Sequence, residues 1–589
     1  MAAPSTSESD LPGDSTEPSP RSAGASLLAD LNPQQREAAL SVVGPVCILA
    51  GPGTGKTHTI TRRIAYGVQA GVYTPERVLA LTFTNRAAGE LRGRLARLGA
   101  HAVQARTFHS AALRQLGYFW PHAIGGEMPQ ISASKSRVVA EAAERVKLRV
   151  NPTDVRDIAE DVEWRKVSEL TYEQYAAALE SGARTPPARL KPEQAVEVIR
   201  AYEQVKDDRH VIDFEDILLA TAGMLESEPW ITQQVREQYR FFVVDEYQDI
   251  SPLQHKLLTL WLGQRRDLCV VGDPAQTIYS FTGATNRYLI DFGHEFPDAR
   301  TVKIEGSYRS TMPIIAVANS LAKHIPHALQ LERAVETETS SPLPELFEYP
   351  DEFSEARGIA QRVADAIAAG EQPAQVAVLV RTNAQSAPLE QAFQNVGVPY
   401  RVAGGQPFFK RPEVRAAVAG LRAAVVASQD AGPLFKSVSD VLRGRGWTVE
   451  PPREAGPARE AWGALDAIMR LADGAAPGTT LEQFTNDLMS RAKHQHEPEV
   501  AAVTISTMHG AKGLEWDRVF VTGLAEGRMP IAQAVTAENI HEERRLFYVA
   551  LTRARKYLYL SYPQSVGPQS RYLAELGNRI QRGNFAGAR

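Results

Sequence analysis

Eight short runs of apolar residues limit the folds open to this chain. They begin at Val46, Val78, Phe241 and Leu268 in the first half and at Val376, Val503, Val519 and Tyr557 in the second. Each run is continuous rather than alternating, which is typical of strands in a parallel sheet covered on both faces. Because helix-compatible sequence separates the runs, the chain is predicted to form two α/β domains with parallel sheets.

Each predicted domain is interrupted by a segment of different pattern. Residues 109–209 are rich in Ala, Glu and Arg and are predicted to form a helical insertion without strands. A second, reduced and mainly helical insertion is predicted for residues 418–500, where Pro451, Pro452 and glycines 474 and 478 break the pattern. The first α/β domain then comprises residues 28–108 and 210–304, and the second comprises residues 305–417 and 501–578.

Composition is that of a soluble chain with several domains. No run of 18 apolar residues occurs, so no membrane span is expected and a cytoplasmic location is predicted. Residues 1–27 and 579–589 are predicted to be tails, and the first is rich in Ser, Pro and acids, as disordered segments are. Two cysteines are too few for a disulfide scaffold, a zinc ribbon or an iron–sulfur cluster. The net charge of −4 argues against an architectural DNA binder but allows a local basic groove.

A glycine-rich loop joins the first apolar run to a helix-compatible stretch. Its residues are Ala50, Gly51, Pro52, Gly53, Thr54, Gly55, Lys56 and Thr57. Glycines let backbone N–H groups face a polyphosphate at the helix N-terminus. Lys56 is placed to reach the β- and γ-phosphates, and the Thr57 hydroxyl to ligate Mg²⁺. Ala50 stands where the pattern usually has Gly.

Two acids follow the third apolar run, in the segment Asp245-Glu-Tyr-Gln-Asp249. After a phosphate-binding loop, an Asp at such a strand end can hold the Mg²⁺ shell. The neighbouring Glu246 can orient and deprotonate a water. The sequence therefore predicts ATP with Mg²⁺ as cofactor, with Thr57 and Asp245 as the metal-binding residues.

Further motifs give the chain a specific resemblance. The segment Asp245–249 and the segment from Val271 to Ala284, with Gln276, Tyr279 and Phe281, resemble motifs II and III of UvrD/PcrA/Rep helicases. The other segments that match family motifs begin at Leu31, Leu81, Arg106, Asp213, Ser307, Arg381, Thr507 and Glu542. The resemblance runs from about Leu31 to Leu576. It implies two RecA-like motor domains, each interrupted by a mainly helical insertion.

The resemblance implies roles for residues around ATP. Arg309 and Arg553 match family arginines that sense the γ-phosphate and act as arginine fingers. Gln276 resembles the glutamine that links the γ-phosphate to DNA. Gln35 and Tyr308 match the residues that read and stack on adenine, and Glu515 matches an acid facing the ribose. Lys512 is predicted either to assist at the same end of the site or to touch DNA.

The resemblance also implies contacts with single-stranded DNA. Its predicted DNA-binding residues are Phe83, Thr107, His109, Tyr279, Phe281 and His509. Aromatic rings there can stack on bases without reading sequence. Phe281 departs from the commoner Trp, and Thr282 replaces a frequent Arg. The segment Trp164-Arg-Lys166 is predicted to lie on a solvated helix face, with contact to duplex DNA as the alternative.

The predicted activity is an ATP-dependent 3′→5′ DNA helicase in DNA repair or replication. Its predicted partners are single-stranded DNA, junctions of single and double strands, and repair proteins. Two alternatives stay open: a translocase that displaces proteins without efficient unwinding, and an ATP-switched assembly factor. A complete hydrolytic set of residues argues against the last. No base or 2′-hydroxyl reader can be identified from the motifs, so RNA stays possible.

Overall fold

The computed structural model describes residues 26–132, 134–335, 341–403, 408–427, 433–450, 452, 457–494 and 501–583. The predicted N-terminal tail lies outside these residues, except for its last two positions. Among the described residues, none of the helices combines the length and the apolar character needed to cross a membrane.

Two parallel sheets form the centre of the fold. Four further strands of two residues each, β4, β5, β9 and β10, form two small sheets outside them. In chain order the strands are β1 Val46–Ala50, β2 Val78–Thr82, β3 Gln104–Thr107, β4 Gln130–Ile131, β5 Val211–Ile212, β6 Phe241–Val244, β7 Leu268–Gly272, β8 Arg300–Ile304, β9 Gly306–Ser307, β10 Glu332–Arg333, β11 Glu345–Tyr349, β12 Val376–Val380, β13 Tyr400–Val402, β14 Val503–Thr507, β15 Trp516–Val521, β16 Ala554–Pro563 and β17 Gln581–Arg582. The first sheet has the order β3-β2-β6-β7-β1-β8, and the second has the order β13-β14-β12-β15-β16-β11-β17.

All strands within each large sheet run parallel. In the first sheet β1 lies between β7 and β8, with Val46 paired to Cys269 on one side and Arg300 on the other. The carboxyl ends of β1, β2, β6 and β7 therefore meet at one edge of this sheet. In parallel α/β sheets that edge is where ligands bind.

Helices cover the sheets and fill the two segments between them. They are α1 Pro33–Leu40, α2 Lys56–Gln69, α3 Asn85–Arg97, α4 Phe108–Ala123, α5 Lys135–Arg145, α6 Pro152–Val167, α7 Tyr172–Glu180, α8 Pro192–Asp208, α9 Phe214–Ser227, α10 Pro229–Gln238, α11 Pro252–Leu262, α12 Arg287–Ile290, α13 Phe292–Glu295, α14 Met312–Ala322, α15 Glu352–Ala368, α16 Ser386–Asn395, α17 Pro412–Ala427, α18 Leu434–Arg443, α19 Pro457–Asp473, α20 Leu481–His494, α21 Ala537–Leu551 and α22 Arg571–Glu575.

The two helical segments have hydrophobic cores of their own. Helices α5 to α8 lie between β3 and β6 in the chain and share a core that includes Val139, Ile158 and Tyr202. Helices α17 to α20 lie between β13 and β14 and pack around Leu421, Ile468 and Leu488. Each segment thus buries apolar surface independently of the sheets, while the residue boundaries of the insertions stay a prediction.

A buried ionic cluster fixes the first helical segment to the first sheet domain. The Lys166 ammonium in α6 is 2.7 Å from carboxylate oxygens of both Asp213 and Asp216, and 3.0 Å from Glu203. Lys206 joins the same carboxylates. Lys166 is 1% exposed, so the prediction of a solvated face is wrong at this position. Charges buried in this way need several partners to offset desolvation, and the cluster supplies them.

All eight predicted strands are present, and the sequence missed five others in the two large sheets. The missed strands are β3, β8, β11, β13 and β17. Four of them are edge strands, which carry polar residues on the side open to solvent and so lack a continuous apolar run. The prediction that residues 109–209 contain no strand was also wrong, because Gln130–Ile131 pairs with Val211–Ile212.

Candidate active site

The glycine-rich loop lies between β1 and α2, where the sequence predicted it. Gly53 and Gly55 have φ of +74° and +80°, a conformation that favours glycine. A Cβ at Gly53 would lie 2.5 Å from Cβ of Arg309, and one at Gly55 would lie 2.7 Å from Nε2 of Gln35. The absence of side chains here therefore lets Gln35 and Arg309 approach the loop closely. Lys56 donates from Nζ to the Ala50 carbonyl oxygen at 3.1 Å, so its ammonium sits over the loop.

The acidic pair follows β6, beside the loop. Glu246 has φ +54° and ψ +40°, an unfavourable conformation for a residue with a side chain, and such strain is often found at functional sites. Desolvation, followed by the charge of Glu246, raises the pKa of Asp245 to about 7. Desolvation also opposes ionisation of Glu246, but Lys56 and Lys512 hold its pKa below the ordinary value. Lys56 and Lys512 thus favour the charged form of Glu246.

Gln248 and Asp273 support this pair, and both were missed as individual site residues. Gln248 donates from Nε2 to Glu246 Oε2 at 2.5 Å and accepts from the Asp273 backbone N–H at 3.0 Å. Asp273 in turn accepts from Gln276 Nε2 at 2.7 Å. Gln248 lies inside a motif quoted above, but only the fold reveals that its amide connects the ends of β6 and β7.

Lys512 connects the second half of the chain to the acids of the first. Its ammonium contacts Asp249 and donates to the Gln276 carbonyl oxygen at 2.7 Å. It is 4.0 Å from Glu246 and 5.1 Å from the ring centre of Tyr279. Lys512 thus lies between these acids and the Tyr279 ring, and its two predicted roles, at the Glu515 end of the site or on DNA, stay predictions.

The two arginines approach the same acids from the second half. Arg553 is 2% exposed, and its Nη2 donates to Gln276 Oε1 at 3.4 Å. Burial, followed by repulsion from Arg309, lowers the pKa of Arg553 to about 9. Arg309 forms an ion pair with Glu515 and donates from Nη1 to the Thr552 carbonyl oxygen at 3.3 Å. Repulsion between two guanidinium groups near a phosphate-binding loop favours binding of an anion.

The remaining predicted nucleotide-binding residues gather beside the loop. Gln35 donates to the Thr54 carbonyl oxygen at 2.9 Å and accepts from the Asn32 backbone N–H at 3.1 Å. Tyr308 is 42% exposed, and its hydroxyl accepts from Asn32 Nδ2 at 2.9 Å. An open tyrosine ring next to an amide provides a surface for stacking and an edge for hydrogen bonding to a base.

Four of the predicted DNA-binding residues form a row, here called the aromatic row: Phe83, Tyr279, Phe281 and His509. Phe83 and Tyr279 are stacked with ring centres 5.3 Å apart. Phe281 meets Tyr279 edge-on at 6.2 Å and His509 at 5.7 Å. Phe83 and Phe281 are 45% and 44% exposed, unlike core aromatics. Tyr279 lies three residues after Gln276, which donates to Asp273, so the aromatic row adjoins the acids.

Thr107 and His109 have other surroundings. The Thr107 hydroxyl accepts from the Ser110 backbone N–H at 3.2 Å and caps α4. The His109 ring lies 6.1 Å from that of Phe214, and its buried Nε2 has no hydrogen-bond partner among the described residues. Burial, and then Lys135, lower the pKa of His109 to about 4, so the ring is neutral at pH 7.

The fold and site define a class of protein with two parallel sheets and a glycine-rich loop that lies beside the acids of the first half and the arginines of the second. Comparison with known families gives the same result. Residues 31–297 match the UvrD/REP helicase N-terminal domain, and residues 302–448 and 464–565 match the UvrD-like helicase C-terminal domain. The chain belongs to the UvrD/Rep helicase family.

Individual relatives show how far the similarity extends. The ATP-dependent DNA helicase UvrD2 of Mycobacterium tuberculosis is 44% identical over an alignment of 566 positions that covers 92% of this chain and 80% of the relative. The ATP-dependent DNA helicase PcrA of Staphylococcus aureus is 27% identical over 96% of this chain and 88% of its own. PcrA of Staphylococcus epidermidis is also 27% identical, over 91% of this chain and 83% of its own.

Proposed function

We propose that this helicase-family protein hydrolyses ATP to move 3′→5′ along single-stranded DNA and to separate duplexes. The observation that carries the proposal is the continuity between Glu246, Gln276 and the aromatic row. Gln276 contacts Arg553 through its side chain and Lys512 through its backbone, and Tyr279 lies three residues further on. A change at the phosphate end can therefore reach the rings through one short segment.

The residues around the loop fit a nucleotide with its metal. Thr57 and Asp245 would hold Mg²⁺, and a cation there would favour the charged form of Asp245 against the desolvation and the Glu246 charge that raise its pKa. The metal would neutralise charge on the transferring phosphoryl group. Glu246, kept ionised by nearby lysines, would accept a proton from the attacking water, and Gln248 would orient it. Arg309 and Arg553 would stabilise charge at the γ-phosphate.

Nucleotide and strand contacts come from the remaining predicted residues. Backbone N–H groups from Gly53 to Thr57 would cradle the phosphates, while Gln35 and Tyr308 would hold adenine. On nucleotide binding, Glu515 would release its ion pair with Arg309 and face the ribose. The aromatic row would stack on bases, and Thr107 and His109 would contact the strand further along.

The first test compares ATP hydrolysis with single-stranded DNA, duplex DNA, RNA and no nucleic acid. We expect strong stimulation by single-stranded DNA, and we expect Lys56→Ala and Glu246→Gln to abolish turnover. Lys323→Ala, on an exposed helix end, is the control for loss of a lysine. Equal turnover with and without nucleic acid would contradict the coupling. An active Glu246→Gln protein would exclude Glu246 as the base.

A further inference from the structure

The first helical segment packs directly against the turn that carries Phe281. This turn spans Ser280–Thr282 and ends at Gly283, which has φ +88°. A Cβ at Gly283 would lie 2.5 Å from Cγ2 of Val167 and 3.4 Å from Oγ of Ser168, at the end of α6. Glycine is therefore needed here both for its conformation and for the close approach of the helix.

Arg184, in the loop after α7, reaches the same turn. Its Nη1 donates to the Phe281 carbonyl oxygen at 3.4 Å, across 97 positions in the sequence. Its Nε and Nη2 both lie 2.8 Å from Oδ1 of Asp161. The guanidinium also lies over the Trp164 ring, 4.7 Å from its centre. Three groups thus determine the position of one planar cation.

The partners of Arg184 are themselves held in place. Asp161 is 2% exposed, and its other carboxylate oxygen accepts from the Tyr175 hydroxyl. A buried carboxylate needs such partners, since an unpaired charge there is costly. Trp164 lies beside Tyr175, with ring centres 6.5 Å apart. Arg184 is therefore fixed by the core of the helical segment, and among its contacts with described residues only that of Nη1 leaves the segment.

We propose that Arg184 is a positioning residue that fixes the Phe281 backbone so that the exposed ring is preset for stacking on a base. The inference rests on the proposed function, because it assigns Phe281 to the DNA strand. The Phe281 ring makes edge contacts with Tyr279 and His509, and the residue is 44% exposed. Glu542 holds the turn at the Ser280 N–H, so the Phe281 carbonyl oxygen is the point that needs support from the other side. Arg184 supplies this support from a segment that holds none of the predicted phosphate-binding residues.

The first experiment titrates single-stranded DNA in an ATPase assay on the full chain. For Arg184→Ala we expect the DNA concentration at half-maximal stimulation to rise at least about fivefold, because presetting of one stacked base is lost. Turnover at saturating DNA and the KM for ATP should stay within about twofold of the wild type. Arg156→Ala, an exposed arginine on α6, removes the same charge and should leave all three values unchanged.

The second experiment asks whether Arg184 acts through Phe281. Adding Arg184→Ala to Phe281→Ala should raise the half-maximal DNA concentration less than about twofold further, because the positioned ring is already gone. Arg184→Lys should not restore the wild-type value, since an ammonium cannot reproduce the planar fork that meets Asp161 and Phe281 together. If Arg184→Ala melts at a lower temperature than the wild type, Arg184→Gln replaces it in every titration.

The outcomes separate the two proposals. A wild-type protein that single-stranded DNA does not stimulate would overturn the proposed function and the Arg184 inference with it. With a stimulated wild type, equal half-maximal values for Arg184→Ala and Arg156→Ala would overturn the inference alone. The inference would also be overturned if the double variant raised the half-maximal DNA concentration by the product of the two single effects. Arg184 would then act independently of the ring.

Discussion

At the scale of single residues, the candidate site places four cations beside its acids. Lys56, Lys512, Arg309 and Arg553 all influence Glu246 or lie beside the loop. Arg553 is held by the carbonyl oxygens of Val549 and Leu514 as well as by Gln276. Without nucleotide these cations repel each other, and a polyphosphate would relieve that repulsion.

The arginines should therefore affect turnover more than nucleotide binding. We expect Arg309→Ala and Arg553→Ala to lower kcat on the order of 10³-fold or more, because their charge acts on the transition state. The Kd of ATP should change far less. Single-turnover hydrolysis and equilibrium binding of a fluorescent ATP analogue measure the two effects. Arg287→Ala, whose side chain is 80% exposed, controls for charge. Loss of affinity in proportion to rate would contradict the assignment.

His109 gives a prediction for pH. In the folded protein its pKa is lowered to about 4, below the ordinary value of 6.5. Between these values the unfolded chain binds more protons, so the contribution of His109 to stability is complete above pH 6.5 and is lost as pH falls towards 4. The urea concentration at the midpoint of unfolding should therefore fall less between pH 7 and pH 5 for His109→Gln than for the wild type. Exposed His101→Gln should behave as the wild type does, and an equal loss in all three would refute the prediction.

At the scale of structural elements, helix α21 connects both ends of the site. Arg553 follows its C-terminus, while Arg545 donates to the Thr277 carbonyl oxygen at 2.8 Å. Glu542 accepts from the Ser280 backbone N–H at 3.0 Å. One rigid helix therefore touches the segment between Gln276 and Phe281 at two points. A shift of this helix on nucleotide binding would move the aromatic row.

The aromatic row should be separable from hydrolysis. We expect Phe281→Ala to weaken single-stranded DNA binding by about 1–3 kcal/mol, the value of one stacked base, while ATP affinity is retained. Movement should fall more than hydrolysis at saturating DNA, measured by translocation and ATPase assays on the same strand. Phe353→Ala, at a ring 61% exposed and remote in sequence, is the control. A lower melting temperature without DNA would instead assign Phe281 a structural role.

At the scale of the whole molecule, the motor residues and the second insertion are separate. The phosphate loop, the arginines and the aromatic row lie around the two sheets, whereas α17 to α20 pack around their own core. This four-helix segment spans residues 412–494, as many positions as the 83 predicted for residues 418–500, and α20 contacts α3 of the first domain. A small insertion offers little surface for holding a duplex ahead of the junction.

We therefore expect the monomer to translocate 3′→5′ robustly but to unwind weakly unless a partner or a long loading tail is present. A stopped-flow assay with dye at either strand end measures translocation, and a forked duplex measures unwinding. Lys56→Ala is the control for movement without hydrolysis. Efficient, processive unwinding by the monomer would falsify the link to the reduced insertion. Arrival at the 3′ end would reverse the polarity.

The sequence by itself determined the chemistry that depends on neighbours in the chain. Three local features can be recognised without knowledge of the rest of the chain. They are the glycine-rich loop, the acids after β6 and the eight continuous apolar runs. Central strands that are buried on both faces must be apolar throughout, so their continuous apolar runs predicted them. Edge strands such as β3 and β8 are half-solvated, and their mixed residues could not be told from loops.

Tertiary structure decided which distant residues meet. Lys512 contacts Asp249 across 263 positions, and no pattern within either segment specifies that pair. Lys166 reads as a solvated charge on an amphipathic helix, yet packing places it among three carboxylates. Arg184 carries no motif, and only the docking of α6 and the loop after α7 against the Phe281 turn gives it a partner there. The sequence around a charged residue does not show whether its side chain faces water or a counter-ion, because the surfaces that pack around it determine its environment.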